Sequence, residues 1–176
     1  MGSSNIIKNM VDGSISCTDG SGAVITTIKF EMGDAAVTGI QKVLNEKAVY
    51  ESRGKVRSVR HTTRKIPQLT LSAMMAEFTS TLSDNIPITD VIYRPAGSAW
   101  ASATSTRATT GDVFCVDVTL TWRGTTLGDS ADHTMLLEDV HFLADFAEGD
   151  PNKWSVTGDV YGSITLDGIA VLAEVS

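Results

Sequence analysis

Three features of the sequence predict a mainly β fold: a β-sandwich or barrel with one short flanking α-helix and a long charged hairpin loop. Apolar and polar residues alternate with period two in three separate runs of the carboxy-terminal half. Thr, Ser, Val and Gly are abundant, which favours strands joined by turns over helix bundles. The third feature is charge: Lys42 to Lys65 holds eight of the fourteen basic residues against Glu46 and Glu51. From Leu127 to the end the balance reverses, with ten acids and only Lys153. No linker or repeat divides the 176 residues, so a single domain over 1–176 is expected, with a basic arm at about 42–65.

In chain order, Asp12–Thr18 and Ala23–Glu31 read as strands around the turn Asp19-Gly20-Ser21-Gly22. A break at Gly33-Asp34 precedes a short strand, Ala36–Ile40. In the arm, Val43, Ala48, Val49, Tyr50, Val56 and Val59 give partial strand character interrupted by Arg53-Gly54, which predicts a long hairpin. Leu69–Phe78 follows, with Pro67 at its entrance, where a missing N–H does little harm. One helix of about nine residues is expected: Asp84 or Asn85 caps it, Pro87 fits its first turn, Ile88, Val91 and Ile92 share a face, and Pro95 stops it. Ala96–Gly111 is small, polar and turn-rich, and reads as a loop.

The strongest alternation runs from Phe114 through Val116, Val118 and Leu120 to Trp122, against Cys115, Asp117, Thr119 and Thr121. A second sets Val140, Phe142, Ala144 and Phe146 against Asp139, His141, Leu143 and Asp145, and ends at the turn Glu148–Asn152. A third runs from Trp154 to Leu166, with Gly158 and Gly162 on its otherwise apolar side marking bends or close backbone approach.

A net charge of −7 argues against sequence-independent DNA wrapping, which needs a positive face. It suits a surface that must avoid adhering to DNA. Cys17 and Cys115 lie in strand-like runs and fit buried reduced thiols. The amino terminus lacks a signal-peptide pattern, Ile6 stands where a myristoylation signal wants Ser or Thr, and no apolar run nears the ~20 residues that cross a bilayer. The expectation is a chain folded in a cytoplasm, with no membrane contact.

Chemistry is weakly signalled. His61 sits in the basic arm without an acidic neighbour, and His133 lies in a loop with Asp129 and Asp132. Asp139 and His141 share a strand face at i, i+2, but a second ligand pair at fixed spacing is missing, so no metal and no cofactor are expected. No GxSxG, phosphate loop, HExxH or CxxC occurs, and the chain is not expected to be an enzyme. Of the tryptophans, only Trp100 falls in a polar loop, where a monomeric sugar-binding sandwich would want an exposed aromatic. The basic arm admits a solvated hairpin, a nucleic-acid arm or, best matched to the acidic remainder, an arm that orders against a neighbouring subunit.

The break Phe30–Asp34, the arm Tyr50-Glu51-Ser52-Arg53-Gly54-Lys55-Val56-Arg57-Ser58-Val59-Arg60, and the strands Leu136–Phe142 and Ser155–Leu166 with the Glu148–Asn152 turn resemble, in layout, a bacteriophage tail tube protein. The family is the major tail protein type of long-tailed phages. The resemblance spans roughly residues 10 to 170. It implies a β-sandwich subunit that joins six to a ring, rings that stack into a hollow tail tube conducting DNA, and a long loop that reaches the adjacent ring. It further implies a virion location, with tape measure, tail terminator and baseplate proteins as partners. On this reading the inter-subunit arm presents Tyr50, Arg53, Lys55, Arg57, Arg60, Arg64 and Lys65. An acidic lumen past which DNA slides without specific binding is lined by Asp117, Asp139 and Asp145, on the polar faces of their strands. A tube protein of a related secretion or gene-transfer apparatus shares this physics.

Overall fold

The computed structural model describes residues 14–23, 25–29, 35–38, 45–64, 66–74, 88–107, 111–122, 124, 130–147 and 153–172. Its strands are β1 (Ser14–Thr18), β2 (Ile25–Lys29), β3 (Ala35–Thr38), β4 (Asn45–Ser52), β5 (Lys55–Arg64) and β6 (Gln68–Met74). After helix α1 (Ile88–Tyr93) and a 3-10 turn (Ala99–Ser102) come β7 (Val116–Trp122), β8 (His133–Ala147), β9 (Lys153–Val160), β10 (Ile164–Leu166) and β11 (Ile169–Leu172). The mainly β character read from the sequence, with one short helix, is the observed one, and the strands pair antiparallel.

Nine strands form one sheet in the order β2-β1-β7-β8-β9-β6-β3, with β10 and β11 added beside β8. The 15-residue β8 is its spine. Its first half lies between β7 and β10, and its second half pairs with β9. The change comes at a bulge. Val116 faces Val140 but Val118 faces Leu137, so three steps on β8 match two on β7. Asp139 absorbs the extra residue with φ 55°, a left-handed conformation that Asp tolerates better than most side chains. Buried Leu137 and Val140 are therefore three apart rather than two, and simple alternation resumes only after the bulge.

The chain opposite the bulge bends to match. The alternating run to Leu166 is broken at residues 161–163, between β9 and β10, around Gly162. There Glu138 N–H donates to the Ser163 carbonyl (3.0 Å), Gly162 N–H to that of Glu138 (3.0 Å) and Tyr161 N–H to that of Asp139 (3.1 Å). A Cβ on Gly162 would lie 2.7 Å from the Glu138 carbonyl oxygen. At Gly158, a Cβ would come 2.6 Å from a Val140 methyl and 2.9 Å from the Phe142 ring, so its hydrogen makes the room that ring occupies. Both glycines mark the close approaches that the sequence predicts.

Both halves of the bent sheet contribute to one hydrophobic cluster. Ile15, Val118, Leu120, Leu137 and Ile164 come from one side, and Leu69, Leu71, Phe142, Val156 and Val160 from the other. Ile88 and Val91 of α1 join them. Six residues of the expected helix, Ile88–Tyr93, are described, and it ends just before Arg94-Pro95; Asp84, Asn85 and Pro87 lie outside the described residues. So do the breaks at Gly33-Asp34 and Glu148–Asn152.

The segment read as a loop at Ala96–Gly111 contains the 3-10 turn, and Trp100 within it is fully buried. As the one large apolar side chain of a small, polar stretch, it inserts where the turn aims it. Asp19 fixes the neighbouring chain from beneath. Its buried carboxylate accepts the Thr104 N–H (3.0 Å) and the Ser21 hydroxyl (2.9 Å), tying the β1–β2 turn to this segment. Cys17 and Cys115 are buried, and burial pushes their thiols up to about 12 and about 11.

Candidate assembly interface

The basic arm folds as a hairpin of its own, β4 with β5, joined among the described residues by no ladder to the larger sheet. Arg53 (φ 53°) and Gly54 (φ 69°) make a two-residue turn with both centres left-handed, the geometry that matches strand twist. Val49 pairs with Val59 and Tyr50 with Ser58, after which the register slips so that Glu51 faces Val56. The slip leaves Arg57 as the extra residue of β5. Arg60 stacks over the Tyr50 ring at 5.8 Å, on the face opposite the valine pair.

Among the described residues no core lies beneath these strands. Val49 and Tyr50 are 53% exposed, and Val56 and Val59 are 58% exposed. A two-stranded hairpin in water is marginal without a third element to cover one face. Of the residues expected on the arm, Tyr50, Arg53, Lys55, Arg57 and Arg60 are exposed on it, Arg64 ends β5, and Lys65 lies outside the described residues.

The three acids expected to line a channel occupy different settings on the larger sheet. Asp145 is exposed near the end of β8. Asp139, at the bulge, accepts the Thr106 hydroxyl (2.6 Å) and an Arg107 guanidinium N–H (3.3 Å), while Arg107 also reaches Asp112 at 3.2 Å. Asp117 accepts the Asp139 backbone N–H (3.1 Å), filling the ladder position that the bulge vacates. Burial raises the Asp117 pKa, and that N–H opposes the rise by favouring the carboxylate. Arg107 was not singled out from the sequence. The available signal was that it and Arg94 are the only cations between residues 66 and 122.

His133 and His141 likewise have structural partners. His141 Nδ1 lies 2.9 Å from the Phe114 carbonyl, so it and Asp139 are held by different groups and do not converge. His133, expected in a loop, begins β8 because Thr134 pairs with Thr121 and its chain is clamped from β10. Asp167, in the β10–β11 turn, accepts the Thr134 N–H and meets His133 Nδ1, both at 2.8 Å. The two contacts hold the Asp167 carboxyl below its ordinary range, the backbone N–H most strongly. Trp122 stacks on His133 with centroids 5.9 Å apart, and buried Trp100 offers no sugar platform. Among the described residues no group of three or more His, Cys, Asp or Glu side chains is placed to hold a metal.

A cleft of about 320 Å³ opens between α1 and β8. Val91, Val116, Val140 and Phe142 form its apolar floor, and Arg94, Val113, Phe114 and His141 its rim. The Arg94 guanidinium lies 3.9 Å over the Phe114 ring, which fixes a cation at the mouth.

No protein-family model and no curated protein matches the chain. Solved structures do. One is a chain of the sheath-tube complex of an extracellular contractile injection system, PVC, in its extended state: 11% identical, TM-score 0.51, with 92% of each chain covered. Another belongs to the sheath/tube terminator of the same system, at 12% identity and TM-score 0.51, covering 92% of this chain and 97% of that one. At such identities the likeness is one of fold.

Proposed function

We propose that this chain is a structural subunit that polymerises, ring upon ring, into the hollow tube of a phage tail or a related injection apparatus. The observation that carries the reading is the arm: a hairpin with its own two-stranded sheet, four exposed apolar side chains and a run of cations, on a body otherwise acidic. Among the described residues nothing supplies that hairpin with a third layer, and the acidic carboxy-terminal half of a second copy has the matching charge to do so. The shared fold with chains from sheath-tube and terminator assemblies supports the same reading. Among the described residues strands β2, β3 and β11 end the sheet, and pairing such edges between copies removes the hazard of leaving them open. Head-to-tail contacts that do not close along an axis generate a filament.

In this mechanism the body supplies the ring and the arm joins one ring to the next. Six-fold rings, a virion location and capping by tape measure, terminator or baseplate proteins are part of the proposal. So is a lumen lined by Asp117, Asp139 and Asp145, whose negative charge keeps phosphate from adhering as DNA passes. Asp145, the most accessible of the three, carries most of that role.

Neutralising Arg53, Lys55, Arg57 and Arg60 together tests the proposal. Exposed ion pairs are each worth about 0–1 kcal/mol, yet repetition around a ring multiplies them. The variant should stay folded and soluble but form monomers or single rings where the parent forms tubes in negative-stain micrographs. Tubes of equal length in both would return the arm to a solvated hairpin.

A further inference from the structure

We infer that the tip of the β10–β11 hairpin of one copy seats in the α1–β8 cleft of a neighbouring copy, with Ile169 on the apolar floor and Asp167 facing Arg94. The inference rests on the self-assembly proposed above and names one contact within it.

The cleft requires an apolar group that brings a negative charge. Its floor is buried Val91, Val140 and Phe142, and the cation at its mouth is held in place against Phe114. Charge and position decide among the exposed apolar side chains: Leu143, 57% exposed with Asp145 two positions on, lies on β8 itself, the strand that walls the cleft, rather than on a hairpin tip. Val49, Tyr50, Val56 and Val59 stand among the cations of the arm, which Arg94 repels. Ile169 is the most exposed large apolar residue described, at 71%, and Asp167 stands two positions before it.

The tip is built to present both. Asp167 (φ 49°) and Gly168 (φ 77°) make a tight two-residue turn between β10 and β11. Asp167 is anchored through the Thr134 N–H and His133, so little freedom is lost when it docks. Those contacts use one site on each carboxylate oxygen, and a carboxylate offers about four. The acid also stays ionised below the ordinary carboxylate range, so it still faces Arg94 as an anion at neutral pH.

A tip cannot enter its own cleft. Leu166 pairs with Met135, whereas the cleft begins at Val140 and reaches Phe142, roughly 20 Å farther along β8 at the usual strand rise. Knob and socket therefore lie on different parts of the subunit. In a head-to-tail arrangement each copy can then both give and receive, which is the requirement for a ring or a filament, whereas a two-fold exchange of the same contact would stop at a dimer.

The test places Ile169→Cys and Val113→Cys in one chain, Val113 being an exposed residue of the cleft rim. Treated with a short bis-maleimide under assembling conditions, the double variant should give a ladder of covalent dimers, trimers and higher species. Each single variant should not, because Cys17 and Cys115 are buried. Ile169→Asp, at a solvent-facing position, should leave folding intact and raise the concentration needed for assembly by about tenfold or more. Parent-like tubes without a ladder would overturn this contact and leave the proposed function standing. A ladder from Val59→Cys with Val113→Cys instead would give the cleft to the arm and also overturn it. Absence of any assembly by the parent would overturn both.

Discussion

In the nine-stranded sheet Ile15, Leu137, Val140 and Ile164 are fully buried, whereas in the β4–β5 hairpin Val49, Val56 and Val59 are more than half exposed. Both regions alternate side chains and both have satisfied ladders, so strand formation does not separate them. Burial does. The body gathers its apolar faces into one cluster that includes α1 and Trp100, and the hairpin has two faces with nothing described beneath either. The stability of the chain is therefore a property of the body, and the order of the hairpin is a property of what it meets.

The largest effect that would sharpen this division is Trp100→Ala. Removing a fully buried indole costs about 3–5 kcal/mol. Urea unfolding of the variant should show a midpoint far below the parent's, while deletion of residues 46–63 should leave the midpoint close to the parent's. A hairpin deletion as damaging as Trp100→Ala would break the comparison.

Gly162→Ala should cost about 1–3 kcal/mol, because the new methyl meets the Glu138 backbone rather than a side chain that can turn away. The same measurement reads it, and an unchanged midpoint would mean that the chain opposite the β8 bulge is not held as described. Gly54, at the arm's tip, has open space around its absent Cβ.

A smaller effect depends on pH. The folded pKa of Asp167 is lowered by the Thr134 N–H and His133, so its stabilisation is present above the ordinary carboxylate value and lost as pH falls through the folded one. Asp117 acts oppositely. Burial raises its pKa, so its favourable contribution is present at low pH and lost as pH rises through that raised value. Asp167→Asn should lower the melting temperature at pH 7 and flatten its decline between about pH 5 and pH 3. An unaltered slope would show that the β10–β11 clamp contributes nothing to acid sensitivity.

Much of this contrast is legible in the sequence. The alternations around Val118 and Phe142 fix two central strands, Arg53-Gly54 fixes the arm's turn, and Gly158 and Gly162 mark two close approaches before any partner is known. The β8 bulge is not legible, because an extra residue is defined only against β7, and Asp139 looks like one more polar position of an alternating run. Trp100 escapes for a different reason: one aromatic in a polar stretch has no period. The Arg107–Asp139 contact joins residues thirty-two apart, and its only local sign is an isolated cation. Arm charge, by contrast, is a compositional property that needs no partner to be seen.

The central claim is that a second copy supplies the layer the hairpin lacks. Amide hydrogen exchange tests it most directly, comparing dilute protein with protein concentrated into assemblies. The prediction is fast exchange from Val49 to Arg60 when dilute and strong protection when assembled, with β7 and the first half of β8 protected in both. Strong protection of the hairpin in the dilute monomer, or none in the assembly, would contradict it.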